Sequence, residues 1–304
     1  QPELAETLEV MAEDLDSLDI IHGQIRDKIF VKHLSIIPEE DMAKIEKGLI
    51  FAQTILRNQV FNLSISSSPL RLVCNTASSI PFSDSSLTKA DTCPKYDLVS
   101  LLNMGVRATL APIFSSLDLK GAYLSMHTCP KTRYMYITVW LMDPAARTGV
   151  VLLASERIDF GFSSASILLR IALVKLGIPV LDLDISKATV RDSTYVDNLN
   201  VDRAQTPAEM AKCIVDLKVN LGKLNLVVDK LYTPRWLWAM EEMKEVRELY
   251  NNDFKPVTNS LGLVWDLEKD EFTPNTNLTI FDNYRGMPGG PSLKDTDLDK
   301  DEMT

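Results

Sequence analysis

The sequence lacks the cysteine and histidine pairs that hold a structural metal ion. Its four cysteines contain no CxxC pair, and there are only three histidines in 304 residues. A structural zinc site takes four such ligands at short spacings, so none is expected here. Scattered cysteines are also typical of a reducing compartment. We therefore expect an intracellular protein, in the cytoplasm or the nucleus.

Long apolar runs are missing as well. No stretch of about 18 or more apolar residues occurs in the sequence, so a transmembrane helix is not expected and a membrane is not an expected partner. The chain opens with QPELAETLEV, which has neither a basic-then-apolar signal pattern nor an initial methionine. We expect it to be a segment of a longer protein.

Positive charge is scarce relative to negative charge. Lys and Arg number 32 against 42 for Asp and Glu, which gives a formal net charge of −10. This balance argues against a protein that coats nucleic acid through bulk electrostatics. It leaves room for a local basic groove, and for an acidic metal site that contributes to the negative total.

What the sequence does contain is an alternation of helical and strand patterns. The first sixty or so residues are predicted to be helical, because apolar residues recur on one helix face after Pro38 and a first turn of acids. The residues of that face are Met42, Ile45, Leu49 and Ala52.

Strand and helix patterns alternate through the rest of the chain. Strands are predicted at 70–74, at 115–118, in YMYITVWLM, VVLLASERIDFGF and LNLVVDKLY, and as a pair around a turn in SLGLVWDLEKDEFT. Helices are predicted in YDLVSLLNMGVRATLAPIF as far as Pro112, in SSASILLRIALVKLG with Gly177 as its stop, and in PRWLWAMEEMKEVRELY. This order indicates an α+β fold, with an antiparallel sheet and helices packed on one face.

The sharpest local signal is a capping box. Thr206 as N-cap, Pro207 at the first helical position and Glu209 at the third open a helix. Its predicted buried face consists of Met210, Cys213, Ile214, Leu217 and Leu221.

The stretch TYVDNLN, residues 194–200, predicts a β-hairpin. The Asp197-Asn198 pair suits the turn, because both residue types tolerate positive φ. A second acid, Asp118, ends the predicted strand at 115–118. Carboxylates that converge from neighbouring strands can hold two magnesium ions about 3.5–4 Å apart. On spacing alone, the alternative is that both aspartates are solvated turn residues.

Six motifs follow one another over roughly residues 65–300: RLVCNTAS, SSLDLKGAYLSM, RIDFGFSSASILL, TYVDNLN, VVDKLYTP and LGLVWDLEKDEFT. In this order they resemble the reverse transcriptase domain of Bel/Pao-type long-terminal-repeat retrotransposons. SSLDLKGAYLSM is similar to the first catalytic motif, an Asp followed by Ala-Tyr or Ala-Phe, and TYVDNLN to the Tyr-x-Asp-Asp box. The other four are RIDFGFSSASILL (Phe-Gly-x-x-x-Ser-Pro-Phe), RLVCNTAS (Arg-Val-Val-Phe-Asp-Ala-Ser), LGLVWDLEKDEFT (Leu-Gly-Leu-x-Trp-Asp) and VVDKLYTP, which is similar to the lysine-bearing strand.

The resemblance implies a right-hand polymerase palm with fingers elements and an absent or truncated thumb. The implied division is an N-terminal helical segment (1–64), a fingers-like region (65–116), the palm (117–285) and a flexible linker (286–304) toward a missing C-terminal region. The implied activity is RNA-directed DNA polymerisation with two Mg²⁺ ions, or Mn²⁺ in their place. The implied partners are an RNA or DNA template-primer, deoxynucleoside triphosphates, and the protease, ribonuclease H and integrase of a polyprotein.

The resemblance also assigns roles to residues around the first acid. Asp118 and Asp197 are implied as catalytic metal ligands, with Asn198 beside them. The residues after Asp118, namely Lys120, Gly121 and Ala122, are implied to cradle the triphosphate with backbone amides. Tyr123 matches the steric gate that excludes a ribose 2′-hydroxyl; by itself it would be interpreted as a core aromatic at a strand end.

The resemblance also assigns roles to further residues, most of them farther from the two acids in the sequence. Arg71 matches a phosphate-gripping arginine, with a surface salt bridge as the alternative. Lys230 matches the lysine that protonates the leaving pyrophosphate, with a solvated lysine as the alternative. Tyr195 belongs to the nucleotide-binding set as the tyrosine of its box. Phe160 and Gly161 are implied to line the nucleotide and template side, and Trp265 either supports the primer-holding strands or is simply a core residue.

Several positions depart from the family pattern. The second acid of the Tyr-x-Asp-Asp box is Asn198, which removes one negative charge near two dications. The remaining departures are Pro69-Leu70-Arg71 where the family has Lys-x-Arg, Asn75 for an Asp, and Ser166 for a Pro. We therefore expect impaired activity. The alternatives are a decayed or repurposed polymerase-fold module that binds nucleic acid or a protein, and an unrelated globular domain in which Asp118 and Asp197 lie far apart.

Overall fold

The computed structural model of the chain describes residues 15–45, 51–58, 70–75, 98–129, 134, 137–143, 148–159, 162, 165–260 and 263–274. The α-helices are α1 (Leu15–Phe30), α2 (Leu98–Leu110), α3 (Ala165–Ala172), α4 (Asp184–Asp192), α5 (Pro207–Gly222), α6 (Arg235–Trp238) and α7 (Lys244–Leu249). The strands are β1 (Leu34–Ile36), β2 (Phe51–Asn58), β3 (Leu70–Asn75), β4 (Ser115–Leu119), β5 (Ile137–Asp143), β6 (Thr148–Ser155), β7 (Thr194–Tyr195), β8 (Asn198–Val201), β9 (Val228–Tyr232), β10 (Val257–Ser260), β11 (Leu263–Asp266) and β12 (Glu271–Pro274). Within these described residues, no helix has the length and apolar character needed to cross a bilayer.

A four-stranded antiparallel sheet of order β7-β8-β4-β9 forms the centre of the described C-terminal half. Leu117, Leu199 and Leu231 lie opposite one another on adjacent strands and are buried in one hydrophobic cluster. Residues from α3, α4 and α5 fill the same cluster, so these helices cover that face of the sheet. The predicted α+β class is confirmed, with antiparallel strands and helices on one face. The opposite face carries Asp118 because side chains alternate along a strand.

A second sheet has the strand order β1-β6-β5-β2-β3, with β2 and β5 parallel and the other pairs antiparallel. The prediction that the first sixty residues are helical is therefore wrong at β1 and β2, and the segment after Pro38 is a 3-10 helix, Glu39–Lys44. Pairing of β2 with β3 and β5 decides its conformation, which the local apolar spacing does not reveal. The predicted boundary at residue 64 falls between β2 and β3, which pair with each other.

The sequence predicted that the helix beginning at Ala165 stops at Gly177, and this prediction is wrong. The helix continues through a π-helical segment, Leu173–Gly177, and a final turn, Ile178–Val180. Gly177 is itself helical, with a φ of −69°. A Cβ atom there would lie 3.1 Å from Leu221 Cδ2, so the missing side chain permits close packing against α5.

The predicted capping box at α5 is confirmed in modified form. The Glu209 amide donates to Thr206 Oγ1 at 3.2 Å, while Glu209 Oε2 accepts from the Gln205 amide at 2.8 Å. The Glu209 carboxylate thus accepts a hydrogen bond from the residue before the N-cap, whereas in a standard capping box it accepts from the N-cap amide. All five residues of the predicted buried face are fully buried. The sequence pattern correctly predicted both the start and the packed side of this helix.

The segment predicted as one helix at 234–250 is broken in two. Met240 has an extended backbone with a ψ of 151°, and a 3-10 turn, Glu241–Met243, separates α6 from α7. Arg247 Nη1 donates to the Met240 carbonyl at 2.7 Å, which stabilises the break. Beyond α7, β10, β11 and β12 form a separate three-stranded antiparallel sheet, and the predicted strand pair around a turn is confirmed there.

Candidate functional site

The β7–β8 hairpin presents Asp197 in its turn. Tyr195 pairs with Asn198, so the turn residues are Val196 and Asp197. The predicted turn pair is wrong by one residue, because Asn198 begins β8. Val196 has a φ of +54°, as two-residue hairpin turns demand at their first central position. For a β-branched residue this conformation costs about 1–2 kcal/mol, and such strain concentrates at functional sites.

Asp118 lies on the central strand β4, between β8 and β9. It pairs with Asn198 on one side and with Lys230 on the other. Directly opposed residues of antiparallel strands share a face of the sheet, with Cβ atoms about 5 Å apart. The Leu119 amide also donates to the Asp197 carbonyl at 2.9 Å. The two acids are therefore neighbours in space, although they are far apart in the sequence.

The carboxyl of Asp118 lies in a crowded electrostatic environment. Burial raises its pKa, and the charge of Asp197 raises it further. The Lys230 ammonium, 3.6 Å from Asp118 Oδ2, acts in the opposite direction, and the net result is a raised pKa. A cation bound between the two acids would relieve their mutual repulsion. The site therefore favours an additional positive charge.

Lys230 faces Asp118 as its direct partner in the ladder, and it lies next to a bulge in β9. Asp118 pairs with Lys230, but the next residue, Leu119, pairs with Val228, so Asp229 is an extra residue in β9. In a regular strand Asp229 would face the hydrophobic core opposite Leu119. The bulge places Val228 there instead, where it is 1 % exposed. With the bulge, Val228 and Leu231 both face the core while Lys230 stays on the face of Asp118.

The turn after β4 offers two backbone amides to a ligand. Gly121 has a φ of +53°, and Ala122 is right-handed with a φ of −50°. When one residue has a left-handed and its neighbour a right-handed backbone conformation, their successive amides point into one concavity that can bind an anion. Neither amide donates to another described residue. Lys120 differs, since its amide donates to the Val227 carbonyl at 2.9 Å; the expected cradle of three amides is reduced to two.

Two tyrosines lie near the acidic residues in the sequence, Tyr123 after Asp118 and Tyr195 before Asp197. Tyr123 begins a 3-10 helix, Tyr123–Ser125, and packs half-buried against a cluster that contains Ile158 and Phe162. Its placement four residues beyond β4 keeps it close to the amides of the turn. Tyr195 is also half-buried and belongs to β7, the edge strand that leads into the hairpin turn.

Of the remaining predicted residues, Arg71 and Trp265 belong to other sheets. Arg71 belongs to β3, the edge of the five-stranded sheet, where it pairs with Arg57; its side chain lies outside the described part of the structure. Phe160 and Gly161 lie outside the described residues. Trp265 is fully buried and stacks on Phe272 with ring centroids 4.8 Å apart. The core interpretation of Trp265 is therefore confirmed.

No protein-family model and no curated protein matches the chain.

The oxygen atoms around Asp118 fit a hard cation. Carboxylate and carboxamide oxygens are ligands that Mg²⁺ accepts, and Asp118, Asp197 and Asn198 supply them from adjacent positions of β4 and the hairpin. Across the part of the chain that the structure describes, no group of three or more His, Cys, Asp or Glu side chains could hold a metal ion. A cation here would have two carboxylates and one neutral amide.

The sequence interpretation missed two residues of this region. Asp229 was not recognised as a bulge residue, although core positions three apart in a strand, Val228 and Leu231, are the pattern that a bulge produces. Tyr232 was also missed. Burial raises the pKa of its hydroxyl, and the charge of Asp118 raises it further. A hydrogen bond with Thr258 lowers the pKa, but the net result is a raised pKa. Tyr232 thus links β9 to the three-stranded sheet, and no local signal marks that contact.

Proposed function

We propose that this chain is an RNA-directed DNA polymerase domain of the Bel/Pao type, with its palm formed by the four-stranded sheet and its helices. The observation that carries the proposal is the proximity of Asp118 and Asp197, beside Lys230: the Leu119 amide binds the Asp197 carbonyl, and the two carboxyl groups interact electrostatically. Two acids of similar spacing in an unrelated globular domain have no reason to meet. The resemblance supplies the reaction class, and the geometry supports it.

Asp118 and Asp197, with Asn198 as a neutral neighbour, would hold two magnesium ions or manganese in their place. When bound, these ions would activate the primer 3′-hydroxyl and stabilise the leaving pyrophosphate. The role of the protein itself would be to hold the two carboxylates in fixed positions on a hydrogen-bonded strand and hairpin. Little reorganisation of these groups would then be needed when a cation binds. The Leu119–Asp197 backbone hydrogen bond supports that rigidity.

The substrate side of the site is supported by the turn after β4. The amides of Gly121 and Ala122 would bind phosphate oxygens of a deoxynucleoside triphosphate. Tyr123, fixed by its packing, would lie below the sugar and exclude a 2′-hydroxyl. Lys230 would give a proton to the leaving pyrophosphate. Its position on the face of Asp118, 3.6 Å from the carboxylate, supports this role.

Asn198 is the reason to expect impaired turnover. With Asp118 and Asp197 ionised and Lys230 charged, the three side chains carry one net negative charge. An aspartate at 198 would add another directly opposite Asp118. Loss of one well-placed electrostatic contact typically costs about 3 kcal/mol of barrier, or roughly 10²-fold in rate. We therefore expect weak polymerisation with an intact fold.

The same observation favours a second candidate function. A sheet that keeps two acids but lacks the third charge could serve as a binding module for a nucleic acid or a protein partner. This module would bind Mg²⁺ weakly and catalyse nothing. The negative total charge of the chain favours a protein partner over bare duplex.

Primer extension on a poly(rA) template with an oligo(dT) primer tests the proposal, with Mg²⁺ and Mn²⁺ in separate reactions. We expect slow extension by the wild type, none by Asp118→Asn, and a gain of roughly 10²-fold in Asn198→Asp. The matched control is Asp184→Asn, since the Asp184 side chain is fully exposed on α4; its rate should equal that of the wild type.

The outcomes separate the two candidates. No extension by any variant, with Mg²⁺ binding that still requires Asp118, would support the binding module and contradict the polymerase. Extension that survives Asp118→Asn would contradict both. Fast extension by the wild type would contradict the impairment that Asn198 is expected to cause.

A further inference from the structure

Lys218 is a lysine of α5 whose ammonium reaches the strand that carries Lys230. Its Nζ donates to the Val228 carbonyl at 2.8 Å and lies 3.9 Å from the centre of the Tyr250 ring. Val228 and Tyr250 are 1 % and 6 % exposed. A charged hydrogen bond combined with a cation–π contact in a buried setting holds an ammonium firmly in place.

The charge of Lys218 has a neighbour of opposite sign. Burial lowers the pKa of its ammonium, while the Asp229 carboxylate raises it. Asp229 is the extra residue of the β9 bulge, and Val228 is the residue immediately before it. Lys218 therefore interacts with both residues at which the backbone of β9 leaves the regular ladder.

A bulge needs such an external contact because it interrupts the ladder of backbone hydrogen bonds. On one side, the Lys120 amide binds the Val227 carbonyl and keeps this segment beside β4. On the other side, Lys218 takes the Val228 carbonyl. These two contacts fix the backbone conformation of β9 at Val227 and Val228. The direction of the Lys230 side chain, two residues after Val228, depends on that conformation.

We propose that Lys218 is a positioning residue: by holding the Val228 carbonyl it fixes the bulge at Asp229 and keeps Lys230 against Asp118. Its importance for nucleotidyl transfer rests on the proposed function, but the contact that it maintains does not. A purely structural role, in which Lys218 only satisfies a buried carbonyl, predicts a loss of stability with the Lys230–Asp118 contact unchanged.

NMR of the full chain with [ε-¹³C]lysine separates these roles, with the Lys230 resonance identified by its absence in Lys230→Met. In the wild type, Asp118→Asn should shift the Lys230 resonance, because it removes the carboxylate 3.6 Å away. In a Lys218→Met background, we expect the same Asp118→Asn change to leave the Lys230 resonance in place. Lys218→Arg, which keeps a charged donor, should restore the shift.

The matched control is Lys212→Met, since Lys212 is an exposed lysine on the same helix, and the shift should persist in it. Lys218→Gln provides the same test if the methionine variant does not fold, because its amide is too short to reach Val228. An undiminished shift in either Lys218 variant would overturn the proposal. This readout needs neither metal nor polymerase activity, so failure of the proposed function leaves it intact.

Discussion

Lys230 Nζ lies 3.6 Å from Asp118 Oδ2, across two paired strands of one sheet. The ammonium therefore occupies the neighbourhood in which a divalent cation would meet the same carboxylate. Because Asp118 also interacts with Asp197, the lysine partly neutralises a pair of acids. A metal ion bound at this carboxylate would therefore compete with the lysine.

Lys230→Met is expected to strengthen Mg²⁺ binding in the absence of nucleotide. The ion pair is partly exposed, with 38 % exposure for the lysine and 24 % for the aspartate, so its loss should change the affinity by about 0.5–1 kcal/mol, or roughly two- to five-fold. Isothermal titration with MgCl₂ measures this. Lys187→Met, which removes a lysine that pairs with the exposed Asp184, should leave the affinity unchanged. Weaker Mg²⁺ binding in Lys230→Met would contradict the competition.

Gly121→Ala and Gly105→Ala should change stability in opposite directions. A Cβ atom at Gly121 would meet nothing closer than 3.9 Å, but the backbone φ of +53° disfavours any L side chain, at about 1–2 kcal/mol. Gly105 lies inside α2 with open space around it, where alanine should gain about 0.5–1 kcal/mol. Urea unfolding of both variants checks the pair of signs. A gain in stability in Gly121→Ala as well would mean that the positive φ at position 121 does not disfavour alanine.

Asp216 on α5 is expected to make stability depend on pH. Its carboxylate accepts from the backbone amides of Asp182 and Leu183, at 3.1 and 3.0 Å, at the start of α4. Burial raises the pKa of this carboxyl, but hydrogen bonds from Ser186, Leu183 and Asp182 outweigh it and the pKa is lowered. The folded pKa is thus below the unfolded value of about 3.9. The contribution is fully present above the unfolded value and is lost as pH falls through the folded one.

Urea unfolding at pH 7 and at decreasing acidic pH tests Asp216. Asp216→Asn should lower stability at pH 7 by about 1–3 kcal/mol, because two amides lose a charged acceptor, and should show a shallower loss in acid than the wild type. Asp184→Asn, whose side chain is fully exposed, is the control and should follow the wild-type curve. An unchanged acid slope in Asp216→Asn would show that the carboxylate makes no such contribution.

Local patterns predicted the elements whose conformation depends on nearby residues. The helix at 207–222 was correctly predicted because its cap and its buried face are both encoded within one short segment. Strands β4 and β9 and the β7–β8 hairpin were also predicted from short segments, although the turn of the hairpin lies one residue earlier than expected. The segments β1 and β2 were not, since their strand conformation comes from partners that are distant in the sequence.

At the site, residue types were easier to predict than their exact roles in the backbone. Asp118, Asp197 and Lys230 were singled out and the structure brings them together. The strained residue of the turn is Val196 rather than Asp197 or Asn198, although valine is a poor choice for positive φ. Sequence preference fails there because the hairpin register, and not the turn residue, determines where the strain falls.

The sequence by itself determined the α+β class, the capped helix α5 and the identity of the acids, because each depends on composition or on short-range spacing. Only the tertiary structure decided that Asp118 meets Asp197, that a bulge at Asp229 lies beside Lys230, and that Lys218 contacts that bulge. Those relations depend on strand register and on contacts between distant segments. A one-residue shift would send each of these side chains to the opposite face, and no local pattern encodes that choice.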